Sequence, residues 1–219
     1  MTSATERLAS VQAGLDRACR AAARPETPTL VAISKTHSAD AIRPLIAAGQ
    51  RHFGENRVQE AQGKWPELLA ETPGITLHLV GQLQSNKAAE AIALFDVIHS
   101  VDRPSLITAL GKAQTTLGKR PACYLQVNIG NEAQKGGCAI ADLPALLAQA
   151  RTAGLNVVGL MCVPPANVEP APFFALLAEH ARRLALPGLS MGMSSDYETA
   201  ALLGSTVVRV GSALFGARG

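Results

Sequence analysis

Three kinds of residue could carry chemistry in this 219-residue chain: a lysine, an arginine, and small hydroxyl residues set beside glycine. Lys35 closes the run "TLVAISK", in which Leu30 to Ile33 have the apolar, partly β-branched composition of a buried parallel strand. An amine at the end of a core strand can attack a carbonyl, or it can reach past the core into solvent. Arg209 lies within "TVVRVG", where strand alternation puts Val207, Arg209 and Gly211 on one face and Val208 and Val210 on the other. A guanidinium there needs acceptors, either a carboxylate from a neighbouring loop in a structural ion pair or a bound ligand. In "GMSSDYETAALLG", Ser195 and Glu198 stand at capping-box spacing ahead of an apolar helix, and Ser194 adds a hydroxyl. "RVGSALFG" repeats the pattern, with Gly211 permitting close approach and Ser212 offering an N–H and a hydroxyl. Such turns serve either as ordinary caps or as an anion site.

These residues depend on the elements that carry them. Residues 4 to 23 place Leu8, Val11, Leu15, Ala18 and Cys19 at helical spacing, which predicts an amphipathic helix ending before Pro25. Strand-like and helical segments then alternate. Strands are predicted at "TLVAISK", "HFGEN", "ITLHLVG", "DVIHSVD", "ACYLQVNIG", "NVVGLMCV", "LSMGM" and "TVVRVG". Helices are predicted over 39–49, 58–70, 86–95, 104–117, 143–153, 172–186 and 196–203, with Pro44 marking a kink or a late start in the first of these. Eight strands, each but the last followed by a helix and the last running into the short "SALFG" segment, are the count of an α/β (β/α)₈ barrel, preceded here by an extra N-terminal helix. A doubly wound open sheet is the competing arrangement. It usually has a glycine-rich first turn, and "SKTHSAD" has no glycine. The expectation is one domain over residues 1–219.

In such a barrel the active end is formed by the carboxyl ends of the strands, and closure puts the first strand beside the eighth. Lys35, Arg209 and the loops after strands seven and eight then form one constellation. A phosphorylated ligand with an aldehyde and a ring acceptor would use all three, the lysine as a Schiff base, the arginine at a ring nitrogen and the loops at the phosphate. Pyridoxal 5′-phosphate (PLP) is such a ligand.

Composition narrows the remaining classes. Hydrophobic residues are 47% and charged residues 17% of the chain, which is globular rather than disordered. The net charge of +3 comes from scattered basic residues, so no nucleic-acid footprint is expected. The amino terminus lacks the pattern of a signal peptide and no apolar run is long enough to span a bilayer, so a cytoplasmic protein without membrane contact is expected. Cys19, Cys123, Cys138 and Cys162 form no C-x-x-C pair and are read as reduced.

The segments "VAISKT", "FGENRVQEA", "HLVGQLQSNK", "VNIGNEAQKGG", "GLMCVPP" and "LSMGMSSDYETAALLGSTVVRVGSALFGAR" resemble, in order and spacing, the motifs of the pyridoxal phosphate homeostasis (YggS/PROSC) family. That resemblance runs from residue 31 to 218. It implies the alanine racemase-like barrel of PLP fold type III. It also implies Lys35 as the Schiff-base lysine, Arg209 at the pyridine nitrogen, Ser194, Gly211 and Ser212 at the phosphate, and Asn56 of "FGEN" lining the pocket. The implied activity is PLP homeostasis by reversible binding and release, with apo PLP-dependent enzymes as recipients and a monomer or weak dimer as the working form. The chain departs from the family pattern at Arg57, His37 and Gln82, which puts in doubt any relay role at those positions.

Two enzymatic readings compete. A weak amino-acid racemase needs an acid/base group on each face of the substrate α-carbon, and related racemases supply one from a second domain. The sequence ends soon after the eighth strand, so that domain is expected to be missing, and only Tyr124 and Tyr197 could substitute. A metal-dependent hydrolase would draw on His52, His78 and His99, but these lie one per strand with no His-x-His pair, so no metal is expected.

Overall fold

In a computed structural model describing residues 2–216, the chain forms a closed barrel of eight parallel strands in the order β1-β2-β3-β4-β5-β6-β7-β8. The strands are β1 (Thr29–Ile33), β2 (His52–Glu55), β3 (Thr76–Leu79), β4 (Val97–Val101), β5 (Ala122–Val127), β6 (Asn156–Cys162), β7 (Gly188–Ser190) and β8 (Val207–Val210). The helices are α1 (Ala4–Ala21), α2 (Ala39–Ala47), α3 (Val58–Gln62), α4 (Trp65–Glu71), α5 (Ala88–Leu94), α6 (Pro104–Leu117), α7 (Leu143–Thr152), α8 (Ala171–Arg183), α9 (Tyr197–Leu202) and α10 (Ser212–Phe215). The expected domain limits at residues 1 and 219 lie outside the described residues.

Closure follows the register expected of the barrel. Val31 of β1 pairs with Arg209 of β8, so the arginine sits beside the strand that carries Lys35 at its end. Between the outer face of the barrel and the helices, Trp65, Phe53, Phe95 and Phe174 are fully buried, and the Phe53 and Trp65 rings meet at 5.1 Å in a tilted arrangement. The predicted N-terminal helix forms with a reciprocal capping box between Ser3 and Glu6, and packs on α2, α9 and α10. Arg24, just beyond it, donates to the carbonyls of Ala201 and Ser205, which fixes the α9 end of the barrel.

Several boundaries differ from the sequence expectation. The helix predicted over 58–70 is two helices, broken at Gly63–Lys64, with Pro66 in the first turn of the second. The helix carrying Pro44 begins at Ala39, behind the Ser38 cap, and runs through the proline, so the late start is not used. The hydrogen bond that Pro44 cannot donate would have gone to Asp40, which is exposed, so water can serve that carbonyl. The capping box at Ser195 and Glu198 does not form. Asp196 is the N-cap residue, its Oδ1 accepts the Met193 N–H at 2.5 Å, and Ser195 is exposed. Among the described residues no helix is long and apolar enough to cross a membrane.

Candidate functional site

Lys35 stands just past the end of β1, in a turn that the rest of the chain holds in a strained shape. Thr36 has φ +66°, a left-handed conformation that a β-branched residue adopts only when its surroundings impose it. The surroundings are three side chains. Glu60 accepts the Thr36 N–H, and Lys64 Nζ donates to the carbonyls of Ser34 at 2.9 Å and His37 at 3.0 Å. Lys64 also pairs with Glu60 and with the fully buried Glu55, each at 3.0 Å. Burial pushes the Glu55 carboxyl up from its ordinary value, against the pull of Ser34, Trp65 and Lys64. The break between α3 and α4 therefore has a use, because it turns Lys64 into the β1 loop.

The Lys35 amine itself has no hydrogen-bond or ion-pair partner among the described residues. Other lysines at this end of the barrel are tied down. Lys87 pairs with Glu90 at 2.8 Å, and Lys135 pairs with Glu132 at 2.5 Å and donates to the Pro164 carbonyl at 2.9 Å. Lys35 shares a cavity with Gly211 and Ser212, together with Ile33, His37 and Gly216. The turn after β7 meets this cavity through Ser194, whose Oγ accepts the Gly211 N–H at 3.1 Å. That bond uses the Gly211 N–H but leaves the Ser194 hydroxyl hydrogen available to an anion. Gly192, which starts the turn, has φ +95° and would bring a Cβ to 2.5 Å from the Ala200 side chain, so both its conformation and its space require glycine.

Arg209 lies inside the barrel and is almost fully buried. Its Nη1 donates to Ser190 Oγ at 2.6 Å and its Nη2 to the Cys162 carbonyl at 2.9 Å. No carboxylate forms an ion pair with it among the described residues, so the structural ion pair is not the arrangement present. Two of five guanidinium N–H donors are accounted for by these bonds, leaving a buried cation with donors to spare. Asn56, half-buried at the end of β2, lines a separate cavity of about 330 Å³ with Gln82, Gln126, Asn128 and Met161. The structure thus gathers Lys35, Ser194, Gly211 and Ser212 at one place, sets Arg209 in the barrel beside β1, and leaves Asn56 in the neighbouring mouth of the barrel.

The histidines considered for a metal do something else. Among the described residues no group of three or more His, Cys, Asp or Glu side chains is placed to hold a metal ion. His52, His78 and His99 are bonded to one another through their ring nitrogens. All four cysteines are buried and free, and burial pushes Cys123, Cys138 and Cys162 up to about 12, as unreactive thiols.

Residues 7–219 match the alanine racemase N-terminal domain family. A pyridoxal phosphate homeostasis protein from Pseudomonas aeruginosa is 44% identical over 226 residues, which cover 100% of this chain and 97% of that one. The chain belongs to the pyridoxal phosphate homeostasis protein family. The structure of its relative PipY from Synechococcus elongatus, with PLP bound, is 42% identical and superposes with a TM-score of 0.83, covering 97% of this chain and 100% of that one. A histidine racemase from Leuconostoc mesenteroides has the same barrel (TM-score 0.72, 15% identity), but this chain spans only 57% of its length. The family barrel expected from the sequence is therefore present, α1 included.

Proposed function

We propose that this protein binds and releases PLP to maintain its supply in the cytoplasm, handing it to apo PLP-dependent enzymes, and that it works as one domain and as a monomer or weak dimer. The observation that carries this reading is the unpartnered Lys35 amine sharing a cavity with Gly211 and Ser212, just past the end of the strand that pairs with the one holding a buried arginine without an ion-pair partner among the described residues. The residues fit the cofactor. A phosphorylated aldehyde with a ring acceptor would find an amine, a pair of loops with anion donors and, on the neighbouring strand, a donor-only cation.

PLP, when bound, supplies an aldehyde that condenses reversibly with a lysine amine with loss of water, and water restores both partners on release. Each side chain has a separate task. The Glu55, Glu60 and Lys64 cluster holds the turn that presents Lys35. Ser194 and Ser212 donate hydroxyl hydrogens toward the phosphate, Arg209 donates to the ring nitrogen, and Asn56 lines the far side of the mouth. Arginine at that nitrogen disfavours its protonation and weakens the electron sink that strong amino-acid chemistry needs.

The racemase alternative asks for a second acid/base group near Lys35. Tyr124 is not placed for it: the ring is buried in the barrel, stacked on His99 with centroids 4.6 Å apart, and burial raises its hydroxyl above its ordinary value. Tyr197 donates to Glu198 and lies against Gly14 of α1, on the outside of the barrel. These placements support the carrier reading over the catalytic one.

The test is direct. Holo-protein treated with borohydride should retain PLP on Lys35 by peptide mapping, and Lys35→Ala should lose the adduct and the visible absorbance while melting like the parent. An adduct mapped to Lys87 or Lys135 would sink the assignment. Racemisation of alanine and other amino acids should not exceed that of free PLP; Lys35-dependent turnover of about 1 per second or more would establish the racemase instead.

A further inference from the structure

The inside of this barrel holds a continuous line of polar side chains that neither cofactor attachment nor phosphate binding uses. Arg209 Nη1 donates to Ser190 Oγ at 2.6 Å, and Ser190 Oγ lies 2.8 Å from His99 Nδ1. His99 Nε2 lies 2.9 Å from His78 Nδ1, and His78 Nε2 lies 3.1 Å from His52 Nδ1. Strand register explains how the three histidines, on β2, β3 and β4, meet. His78 pairs with Gly54, two residues past His52, and with Val97, two residues before His99. The line therefore climbs one inward-facing position per strand, as the stagger of a tilted barrel requires.

The line has a direction that follows from counting hydrogens. His78 and His99 are buried, and burial holds both rings neutral, so each has one N–H and one lone pair. Ser190 Oγ already accepts from arginine, which is never an acceptor. If His99 also donated to it, the Ser190 hydrogen would have no acceptor among the described residues, which leaves a fully buried donor unsatisfied. With Ser190 donating to His99 Nδ1, every link closes. His99 then carries its hydrogen on Nε2 and gives it to His78 Nδ1; His78 does the same toward His52, and the His52 Nε2–H is left at the half-buried end. Bonds that all run one way polarise each other, which makes Ser190 Oγ a better acceptor for Arg209.

We propose that Ser190, His99, His78 and His52 are positioning residues that form a one-way hydrogen-bond chain, anchoring the Arg209 guanidinium as a cation aimed at the ring nitrogen of PLP. The chain supplies acceptors without supplying a negative charge. Arg209 stays fixed in place yet lacks an internal counter-ion, so the neutralising charge is left to the anionic ligand. The part concerning PLP rests on the functional reading above, whereas the hydrogen-bond chain stands without it.

Nitrogen-15 NMR of the histidine rings in apo-protein tests the chain by itself. Near neutral pH, His52, His78 and His99 should all be neutral with the hydrogen on Nε2; a hydrogen on Nδ1 of His78 or His99, or a charged ring at either, overturns the proposal. The link to the cofactor is read from PLP release into an apo-enzyme trap. Ser190→Ala should release PLP about tenfold faster and shift the absorbance of the bound form, the scale seen when an outer-layer partner is removed from a tuned site, and Ser190→Thr should return both toward the parent. Parental release and spectrum in a folded Ser190→Ala protein would overturn the positioning role. A parent that never captures PLP would instead refute the functional reading, with the ring tautomers still deciding the chain.

Discussion

The layer between strands and helices and the space enclosed by the strands are both buried, yet they are filled with different chemistry. The outer layer is mainly aliphatic and aromatic, with Trp65, Phe53, Phe95, Phe174 and Ile42 among its fully buried members and Glu55 a buried exception. The enclosed space has a small apolar group, Val31, Tyr124, Met161 and Val207, and beside it the polar line from His52 to Arg209. Barrels ordinarily fill that space with branched aliphatic side chains. The outer layer here is built as a core, and the inner one trades part of its apolar packing for a line of hydrogen bonds that holds the buried arginine. Stability and ligand handling should accordingly respond to different substitutions.

The largest expected effect breaks the outer layer. Phe174→Ala removes a fully buried ring from the face of α8 and should cost about 3 to 5 kcal/mol in urea unfolding. The fraction that remains folded should bind PLP as the parent does, because Phe174 lies outside the strands and the binding residues lie at their ends. A comparable loss of PLP affinity in folded protein would mean that the two layers are not separable.

The next effect sharpens the contrast through pH. His78 is held down to about 3 and His99 well below its ordinary value, first by burial and then by neighbours, His52 beside His78, and His78 and Arg209 beside His99. An unfolded chain titrates its histidines near 6.5. Below that pH the unfolded state takes up protons that the folded state refuses, so stability falls as pH falls, and it continues to fall until pH approaches the depressed folded values. The slope is about 1.4 kcal/mol per pH unit for each such histidine. Urea midpoints between about pH 6.5 and pH 5, where carboxylates of ordinary pKa stay mostly ionised, read mainly this histidine contribution. His78→Gln removes one titrating ring and should flatten the dependence by that amount, whereas a pH-independent parent would show that the folded rings titrate as they do in the unfolded chain.

The same contrast decides what could be read in the sequence. The barrel was legible because each strand is a short apolar run and the intervening segments have helical period; the ends of β1 and β8 then gave Lys35 and Arg209 as neighbours. The break at Gly63–Lys64 was marked by "QGKWPE", where a glycine closes one helix and Pro66 opens another, yet an unbroken helical period across residues 58 to 70 hides it. The Ser195 cap failed because Asp196, one residue later, offers an acceptor to the same turn. The histidine line was the least legible. Its members are separated by 26 and 21 residues, and only the barrel stagger turns one inward histidine per strand into a contact. Inward parity shared by His52, His78, His99, Ser190 and Arg209 was the available signal, and it acquires meaning only when the registers of adjacent strands are known.

The smallest expected effect concerns the mouth, where neither layer dominates. Ser212 is exposed and Ser194 is half-buried with its Oγ accepting the Gly211 N–H, so the two hydroxyls should not behave alike. Ser212→Ala removes a hydroxyl that has no hydrogen-bond partner among the described residues, and should weaken PLP retention without moving the melting temperature. Ser194→Ala removes an anion donor and also unfastens the turn after β7 from the start of α10, so a small loss of stability should accompany its loss of affinity. The double variant should lose about 1 to 3 kcal/mol of PLP affinity, with the two changes non-additive to the extent that Ser194 positions Ser212. Equilibrium dialysis of PLP against the single and double variants measures both terms. Unchanged affinity in the double variant would place the phosphate away from these loops, and the constellation built on them would have to be redrawn around Asn56 and the other mouth residues.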